Sequence, residues 1–420
     1  MTDSQATDII IIGAGLAGLS AAVTAQRAGF SVKVFESSSA VGGRIKTDVI
    51  DGFRFDHGFQ VFNPAYQAAK NILNYEALAL RSFSPGIKLL EENSSRLFGN
   101  PLRDPQYALS FIKNLKNQGI QGATDLARFG AYAAACAAKK DSAVFDTSAR
   151  SALLQAGMST DFVDGTLAPF LTGVFLEPNL ETSRRFLDFV LANFIKGVPA
   201  VPADGMQAIP QHLHSLLHSD VVQLNSGVHS ISDNTVVTDS GSYKARTVIV
   251  ATDQDTAQTW SGIKATGWRS VTTWYHAVDC AREQLADGQG RLTIDTVTNR
   301  GPVINSVPIS HVAASYAPTG QHLISSSTLG TDTSLEMANS VKKHLGMMYG
   351  LDTSQWNNLA VYPIAKALPI ATPPHITLAN PQIAPNVYLA GDYTISTSIN
   401  GAIESGVLAA KAALQNLRNK

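Results

Sequence analysis

This 420-residue chain reads as an α/β protein with two interleaved domains, on three grounds. An apolar run over residues 9–12 enters a Gly13-Ala14-Gly15-Leu16-Ala17-Gly18 turn, an Ala-rich helix and a second strand that ends at Glu36. Strand-and-turn segments of the same kind return far along the chain, over residues 201–252 and 387–406. The stretches between them differ in pattern. Residues 63–199 repeat apolar residues every three or four positions, whereas residues 262–359 are rich in Thr, Val and Ser.

Residues 9–12 have the composition of a strand buried on both faces. Gly13 has no Cβ to oppose the tight turn that follows. Gly15 lets a pyrophosphate approach the backbone, and Leu16 and Ala17 open a helix whose N–H groups and partial positive charge receive it. Gly18 lets that helix pack on the strand. The helix is predicted to run to about Ala28 and the second strand over residues 31–35. Glu36 then follows Gly15 at about the twenty-residue spacing of a ribose-binding carboxylate, and its charge disfavours a 2′-phosphate and hence NADP. Together these residues form a βαβ dinucleotide site. Just beyond, Gly42, Gly43 and Arg44 return toward the cofactor, where a guanidinium can reach the pyrophosphate. Gly52, Asp56 and Gly58 follow in DGFRFDHGFQVF.

At this point the chain resembles the flavin-dependent amine oxidase and phytoene desaturase superfamily. There a G-G-R-x-x-(S/T) element and a D-x-G element follow the first βαβ unit and bind FAD. Here they are GGRIKT, with Thr47 as the small hydroxyl, and DHG. The resemblance implies FAD as the cofactor, with Gly43, Arg44, Gly58, Phe59 and Gln60 beside it. Residues 201–206, VPADGM, resemble a P-x-G-G-M element in which Asp204 replaces one glycine. Residues 221–237 read as a strand and hairpin, with Val228 where a backbone contact to adenine is usual in the superfamily. YKARTVIVAT, ending at Ala251 and Thr252, resembles the strand beside the cofactor. VYLAGDYTISTSINGAIESG resembles the closing flavin motif. In it Gly391 and Asp392 would meet the ribityl or pyrophosphate region, and Ser398, Ile399, Asn400 and Ala402 would bring a helix N-terminus to the flavin ring.

The resemblance thus implies a Rossmann-like FAD-binding domain assembled from residues 1–62, 200–261 and 360–420. An interleaved α+β substrate domain takes residues 63–199 and 262–359. In the first insertion, residues 106–118, 124–139, 148–157 and 185–195 are predicted as helices. In the second, VTTWYHAVDC, RLTIDTV and HLISSSTLG are predicted as strands of an antiparallel sheet, with a helix over residues 334–349.

Composition narrows the function. Charged residues make up 15% of the chain, against about 25% in average proteins, which fits a large buried fraction. A net charge of −1 gives nucleic acid no electrostatic support. Cys136 and Cys280 stand alone, too few for a disulfide framework or a metal site. Cys136, within AYAAACAAKK, reads as a small buried apolar residue. The N-terminus carries Asp3 and Asp8 rather than the basic flank of a signal peptide, and no apolar run reaches the roughly 18 residues of a membrane span. Cytoplasm is the expected compartment, with peripheral membrane contact left open.

A bound flavin accepts two electrons itself, so the protein has only to bind, orient and desolvate the substrate. No G-x-S-x-G, H-E-x-x-H or C-x-x-C is present, nor a second G-x-G-x-x-G for a nicotinamide, so oxygen or a quinone is the expected electron acceptor. Amine oxidases of the superfamily commonly carry an aromatic cage residue before the Gly-Ala step of the closing motif; here Ser398 holds that place ahead of Gly401-Ala402. LAGDYT resembles the corresponding segment of plant-type carotene desaturases. An apolar small molecule, isoprenoid- or polyene-like, is therefore the first expectation, amine oxidation the second, and a flavin-binding protein without turnover the third. The candidate catalytic side chains are His57, Gln60 and Tyr393. Tyr362 is a further pocket candidate, and Arg184 and Arg185 are candidates for an acidic group. Trp274, Tyr275 and His276 read as core.

Overall fold

The computed structural model describes residues 7–99, 105–138, 145–232, 234–375 and 377–419, with backbone alone over 105–119. Two large sheets carry the fold. In the first, the strand Thr7–Ile12 pairs in parallel with Val32–Phe35 on one side and with Gly241–Val250 on the other. Val387–Leu389 and Val222–Gln223 extend this parallel core at its two edges. Ile9, Ile10, Ile11 and Ile12 are all buried, as an apolar run in a sheet covered on both faces must be. The helix Leu16–Arg27 packs along the C-terminal helix Ile399–Arg418. Gly406 permits the approach, since a Cβ there would lie 2.0 Å from the Ala17 carbonyl oxygen. The first half of Gly241–Val250 joins an antiparallel hairpin with Val228–Ser232 and Thr235–Thr238.

The second sheet has seven strands in the order Asn357–Pro369, Trp268–Val278, His322–Leu329, Val303–Pro308, Leu292–Asp295, Ile87–Leu90, Ser95–Phe98. Its pairs are antiparallel except Leu292–Asp295 with Ile87–Leu90. The helix Leu335–Tyr349 covers one face, packing Val341, Leu345 and Met348 against Trp274 and Ile324. Val271, Asn305, Ser327 and Ile364 line the cavity described below. Trp274 and Tyr275 are buried, as expected of core residues. Among the described residues no helix is long and apolar enough to cross a membrane.

Two expectations are corrected. Residues 106–118 and 124–139 do not form two helices, because Pro105–Ala138 is one helix of 34 residues. Gly119 and Gly122 in its middle each cost about 1 kcal/mol but supply no stop. The side chains of the expected apolar face over 106–118, and Lys139 itself, lie outside the described residues. Outside the segments expected as helices, the insertion 63–199 adds a hairpin, Ile87–Leu90 with Ser95–Phe98, that joins the second sheet. The boundary at 360 falls inside the strand Asn357–Pro369, which pairs with Trp268–Val278. Pro363 and Lys366 blur its strand pattern, and both are tolerated because this strand lies at the sheet edge.

Candidate cofactor and substrate site

A cavity of about 1290 Å³ is lined by residues of both sheets. That exceeds the roughly 300–1,000 Å³ of an ordinary small-molecule pocket and suits a cofactor together with a substrate. Its polar limb begins at the phosphate turn. Gly13 takes the turn at φ +101°. Gly15 lies on the wall, with no atom within 4 Å of where a Cβ would stand. No side chain caps the helix Leu16–Arg27, and no acid stands in its first turn, so its leading N–H groups are left for an anion. Leu16 and Ala17 line the same wall. Gly18 does not: a Cβ there would lie 1.9 Å from the Gly13 carbonyl oxygen, so its part is the close packing of helix on turn.

Glu36 lines the cavity and also braces the turn. Its Oε2 accepts from the Ala14 N–H at 2.7 Å, and its Oε1 accepts from the Ser38 N–H at 2.9 Å and hydroxyl at 2.7 Å. Oε2 keeps a lone pair for a ribose hydroxyl. Val228, Ala251 and Thr252 continue the wall, joined by Gly227, Asp253, Thr256 and Trp260, which sequence reasoning missed. Thr256 and Trp260 stand one turn apart on the helix Gln254–Ser261, a four-residue spacing that is the signal able to reveal them.

The G-G-R loop clasps this turn. The Gly42 N–H donates to the Ala14 carbonyl at 2.9 Å, and Gly43 takes φ +61° beside Gly15. Arg44 Nη2 meets Asp392 Oδ1 at 2.6 Å. Its Nη1 donates to the Ala367 carbonyl at 3.3 Å, and its guanidinium lies 5.4 Å from the Trp268 ring centre. Burial opposes the Arg44 charge, but Asp392 outweighs it and raises the pKa. The two residues, from opposite ends of the chain, hold each other on the cavity wall.

The D-x-G element is first a structural pin. Asp56 is buried, with Oδ1 accepting from the Thr47 hydroxyl at 2.5 Å and the Met206 N–H at 2.9 Å, and Oδ2 accepting from the Tyr316 hydroxyl at 2.7 Å. Burial pushes its carboxyl up despite these bonds. Asp56 therefore ties GGRIKT and VPADGM to Tyr316. Asp204, the departure from the glycine pattern, is exposed and pairs with Arg54 at 3.0 Å. His57, Gly58, Phe59 and Gln60 then line the cavity. His57 Nε2 lies 2.9 Å from Asp48 Oδ2, which also accepts from the Tyr362 hydroxyl at 2.8 Å. Burial alone would raise Asp48, yet these hydrogen bonds bring it below the ordinary carboxylate value. Gln60 Nε2 donates to the carbonyls of Arg44 and His57, both at 3.2 Å, and its Oε1 is buried without a partner among the described residues.

Of the closing motif, Gly391, Asp392, Ser398, Ile399 and Ala402 line the cavity. Ser398 caps the helix Ile399–Arg418, its Oγ accepting from the Gly401 N–H at 2.9 Å, so the expected cage position holds a cap and no ring. Asn400 and Tyr393 do not line the cavity. Asn400 turns inward, its Oδ1 accepting from the Ala68 N–H at 3.0 Å and its Nδ2 donating to Glu404 at 3.2 Å. Tyr393 packs with Ile10, Ile12 and Leu389, and its hydroxyl donates to the Ala390 carbonyl at 3.4 Å. Burial pushes its phenol far up. Tyr393 thus stands behind the wall residue Gly391 and does not face the cavity as His57 and Gln60 do. Tyr362 is also off the wall. Arg184 pairs with Asp188 at 3.4 Å, and Arg185 donates to the His375 carbonyl.

The cavity continues into an apolar limb that no local motif marks. Phe83, Phe129, Phe170, Phe189, Val190 and Phe194 come from the first insertion, and Val271, Asn305, Ser327 and Ile364 come from the second sheet. Among the described residues, the acids lining the whole cavity are Glu36, Asp253 and Asp392, all on the cofactor limb. Arg96 also reaches the wall but is paired with Glu91 at 2.7 Å.

Comparison with known proteins agrees with this arrangement. Residues 16–414 match the family model described as flavin containing amine oxidoreductase. The chain is 38% identical over 82 residues to a 4,4'-diapolycopene oxygenase from Methylomonas sp, a match that spans 18% of this chain and 16% of that protein. Its fold is similar to that of reduced UDP-galactopyranose mutase, at a TM-score of 0.69 and 14% identity over 98% of this chain and 96% of the other. It is also similar to putrescine oxidase bound to putrescine, at a TM-score of 0.65 and 16% identity over 99% of both chains. At those identities the two structures speak for the fold alone.

Proposed function

The chain belongs to the flavin-containing amine oxidoreductase family, and we propose that within it the protein oxidises an elongated apolar small molecule, isoprenoid or polyene in type, at its FAD. Bound FAD supplies the two-electron acceptor; the chain itself binds, orients and keeps water out. The phosphate turn and the start of Leu16–Arg27 would hold the pyrophosphate, with Arg44 kept on the same wall by Asp392. Glu36 Oε2 would take a ribose hydroxyl, Val228 would hold the adenine, and the helix start at Ser398 and Ile399 would hold the flavin. His57 and Gln60 are the proposed polar side chains at the reacting end. The FAD-binding domain is proposed to comprise residues 1–62, 200–261 and 370–420, and the substrate domain residues 63–199 and 262–369.

The apolar limb carries the substrate reading. Its rings and aliphatic side chains exclude water, and among the described residues no carboxylate lines it to pair with an ammonium. An unpaired cation in such surroundings would lose several kcal/mol of hydration. The partial likeness to a 4,4'-diapolycopene oxygenase supports the same choice. Oxygen or a quinone is the proposed electron acceptor, in a cytoplasmic setting. Ile120, 89% exposed, stands two residues before the wall residue Gly122, which supports peripheral membrane contact as an entry route. Anaerobic mixing of the FAD-loaded protein with a panel of isoprenoids, polyenes and amines tests the reading. Isoprenoids or polyenes are expected to bleach the flavin, with amines inert at millimolar concentration. Rapid bleaching by an amine alone would replace this proposal with amine oxidation.

A further inference from the structure

One wall of the apolar limb is the face of a helix. Residues of Pro105–Ala138 reach the cavity along an arc from Phe129 on one side to Ala127 on the other, with Leu126, Gly130 and Ala133 between. At 3.6 residues per turn Gly130 falls close to the middle of that arc, so a side chain there would point into the limb. No atom lies within 4 Å of where its Cβ would stand. A glycine inside a helix weakens it, and neither usual reason for keeping one applies here. Its φ is outside the left-handed region, and no neighbouring element approaches it closely. Gly173, on the same cavity, differs: a Cβ there would lie 2.6 Å from Asn305 Nδ2, so packing demands a glycine. What Gly130 provides is open space inside the limb.

We propose that Gly130 sets the bore of the apolar limb and so selects substrate by chain length, favouring a chain long enough to pass over it. The inference rests on the apolar-substrate reading and refines it. Pro105–Ala138 packs on the helix Arg184–Lys196 and the strand Ser95–Phe98. Of these, Arg184–Lys196 meets the segment that follows Gln60. There the Phe189 and Tyr66 rings stack with centres 5.9 Å apart, and the Asn193 carbonyl accepts from Asn63 Nδ2 at 2.9 Å. Gly130 therefore stands on the outer wall of the limb, beyond that junction. The lining face of its helix runs from Gly122 to Ala134, about 18 Å at 1.5 Å per residue. A chain that ends short of this face leaves apolar wall bare, whereas one that continues along it gains affinity with the apolar area it covers. A bulky side chain at position 130 would close that stretch and leave the inner part of the limb open.

Isothermal titration calorimetry of the FAD-loaded protein with farnesol and with geranylgeraniol, which differ by one isoprene unit, tests this. Geranylgeraniol is expected to bind at least about tenfold more tightly. Gly130→Phe should bring the ratio toward unity while leaving farnesol affinity and FAD content in place. Ala135→Phe, on the exposed side of the same helix and off the cavity, should keep the ratio of the unsubstituted protein. A geranylgeraniol preference that survives Gly130→Phe overturns the assignment, as does equal affinity of the unsubstituted protein for the two alcohols, and both leave the apolar reading standing. Equal loss of both alcohols in Gly130→Phe, with FAD retained, places the residue at a point every ligand must pass and also overturns the length selection. Binding of neither alcohol to the unsubstituted protein overturns the apolar reading and the inference with it. Should Gly130→Phe fail to retain FAD, Gly130→Ala decides in its place. It favours the helix and carries one methyl into the limb, and a geranylgeraniol preference it does not lower overturns the assignment.

Discussion

The two limbs of the cavity are built from different parts of the chain's chemistry. The cofactor limb meets its ligand largely through backbone: the turn at Gly13, the open Cα of Gly15 and the uncapped start of Leu16–Arg27. The apolar limb meets its ligand through side chains drawn from residues as far apart as Phe83 and Ile364. Backbone recognition forces residue identity within a few positions, because no other residue fits. Side-chain recognition can be met by many combinations of apolar residues. The cofactor limb therefore leaves a motif in the sequence, and the substrate limb leaves little more than helical periodicity.

The largest expected effect separates two glycines of that motif. Gly18→Ala drives a Cβ to within 1.9 Å of the Gly13 carbonyl oxygen, a backbone clash that should cost upward of about 4 kcal/mol and leave little folded protein. Gly15→Ala meets no protein atom within 4 Å, and the φ of −74° there suits any residue. It should fold normally and lose FAD, since its methyl occupies the space left for the phosphates. Thermal melts and flavin absorbance on the two purified variants check this. A Gly15→Ala protein that keeps full FAD would break the backbone account of the cofactor limb.

A smaller effect is expected in the second sheet on acidification. Burial, helped by Lys342, pushes His276 down to about 4, and burial with Arg282 and His322 does the same to His311. Histidines that bind fewer protons folded than unfolded make the folded state fully stable above pH 6.5 and progressively weaker as the pH falls toward 4. His276 contributes a loss of up to about 1.4 kcal/mol per pH unit in that window, and the half-buried His311 less, because solvent screens it. His276 lies in the strand that also carries Trp274, and its ring is 6.2 Å from that of Trp356. Near-ultraviolet circular dichroism should therefore fade as the pH drops, before flavin is released. His276→Leu should flatten the dependence of melting temperature on pH. Flavin release ahead of the tryptophan signal would place the weak region in the cofactor limb instead.

Legibility followed the same division. Residues 8–46 revealed their strand, turn, helix and acid, and all but Gly18 of the residues expected to touch the cofactor in that stretch line the cavity. The second sheet was visible as strands, but its edge strand Asn357–Pro369 was hidden by Pro363 and Lys366, which an edge tolerates. Tyr393 does not reach the wall because the short turn Asp392–Thr394 packs its ring among Ile10, Ile12 and Leu389, and a three-residue turn carries no periodicity to read.

Val190→Trp gives the finest division between the limbs. Val190 sits on the helix Arg184–Lys196, is 7% exposed and lines the apolar limb. A tryptophan there has the cavity to grow into, so the strain of overpacking, about 1–3 kcal/mol in a filled core, should be largely avoided. Its ring would occupy space that an elongated substrate needs, and affinity for farnesol should fall by about tenfold or more, the scale at which apolar pockets discriminate size. No residue named for the cofactor limb touches this position, so flavin content and the visible spectrum should not change. Glu36→Ala provides the reverse case, with FAD retention weakened and the apolar limb left intact. Loss of FAD and of farnesol binding together in Val190→Trp would mean that the cavity acts as one undivided site. Loss of ligand with full flavin occupancy would establish two limbs that can be altered one at a time.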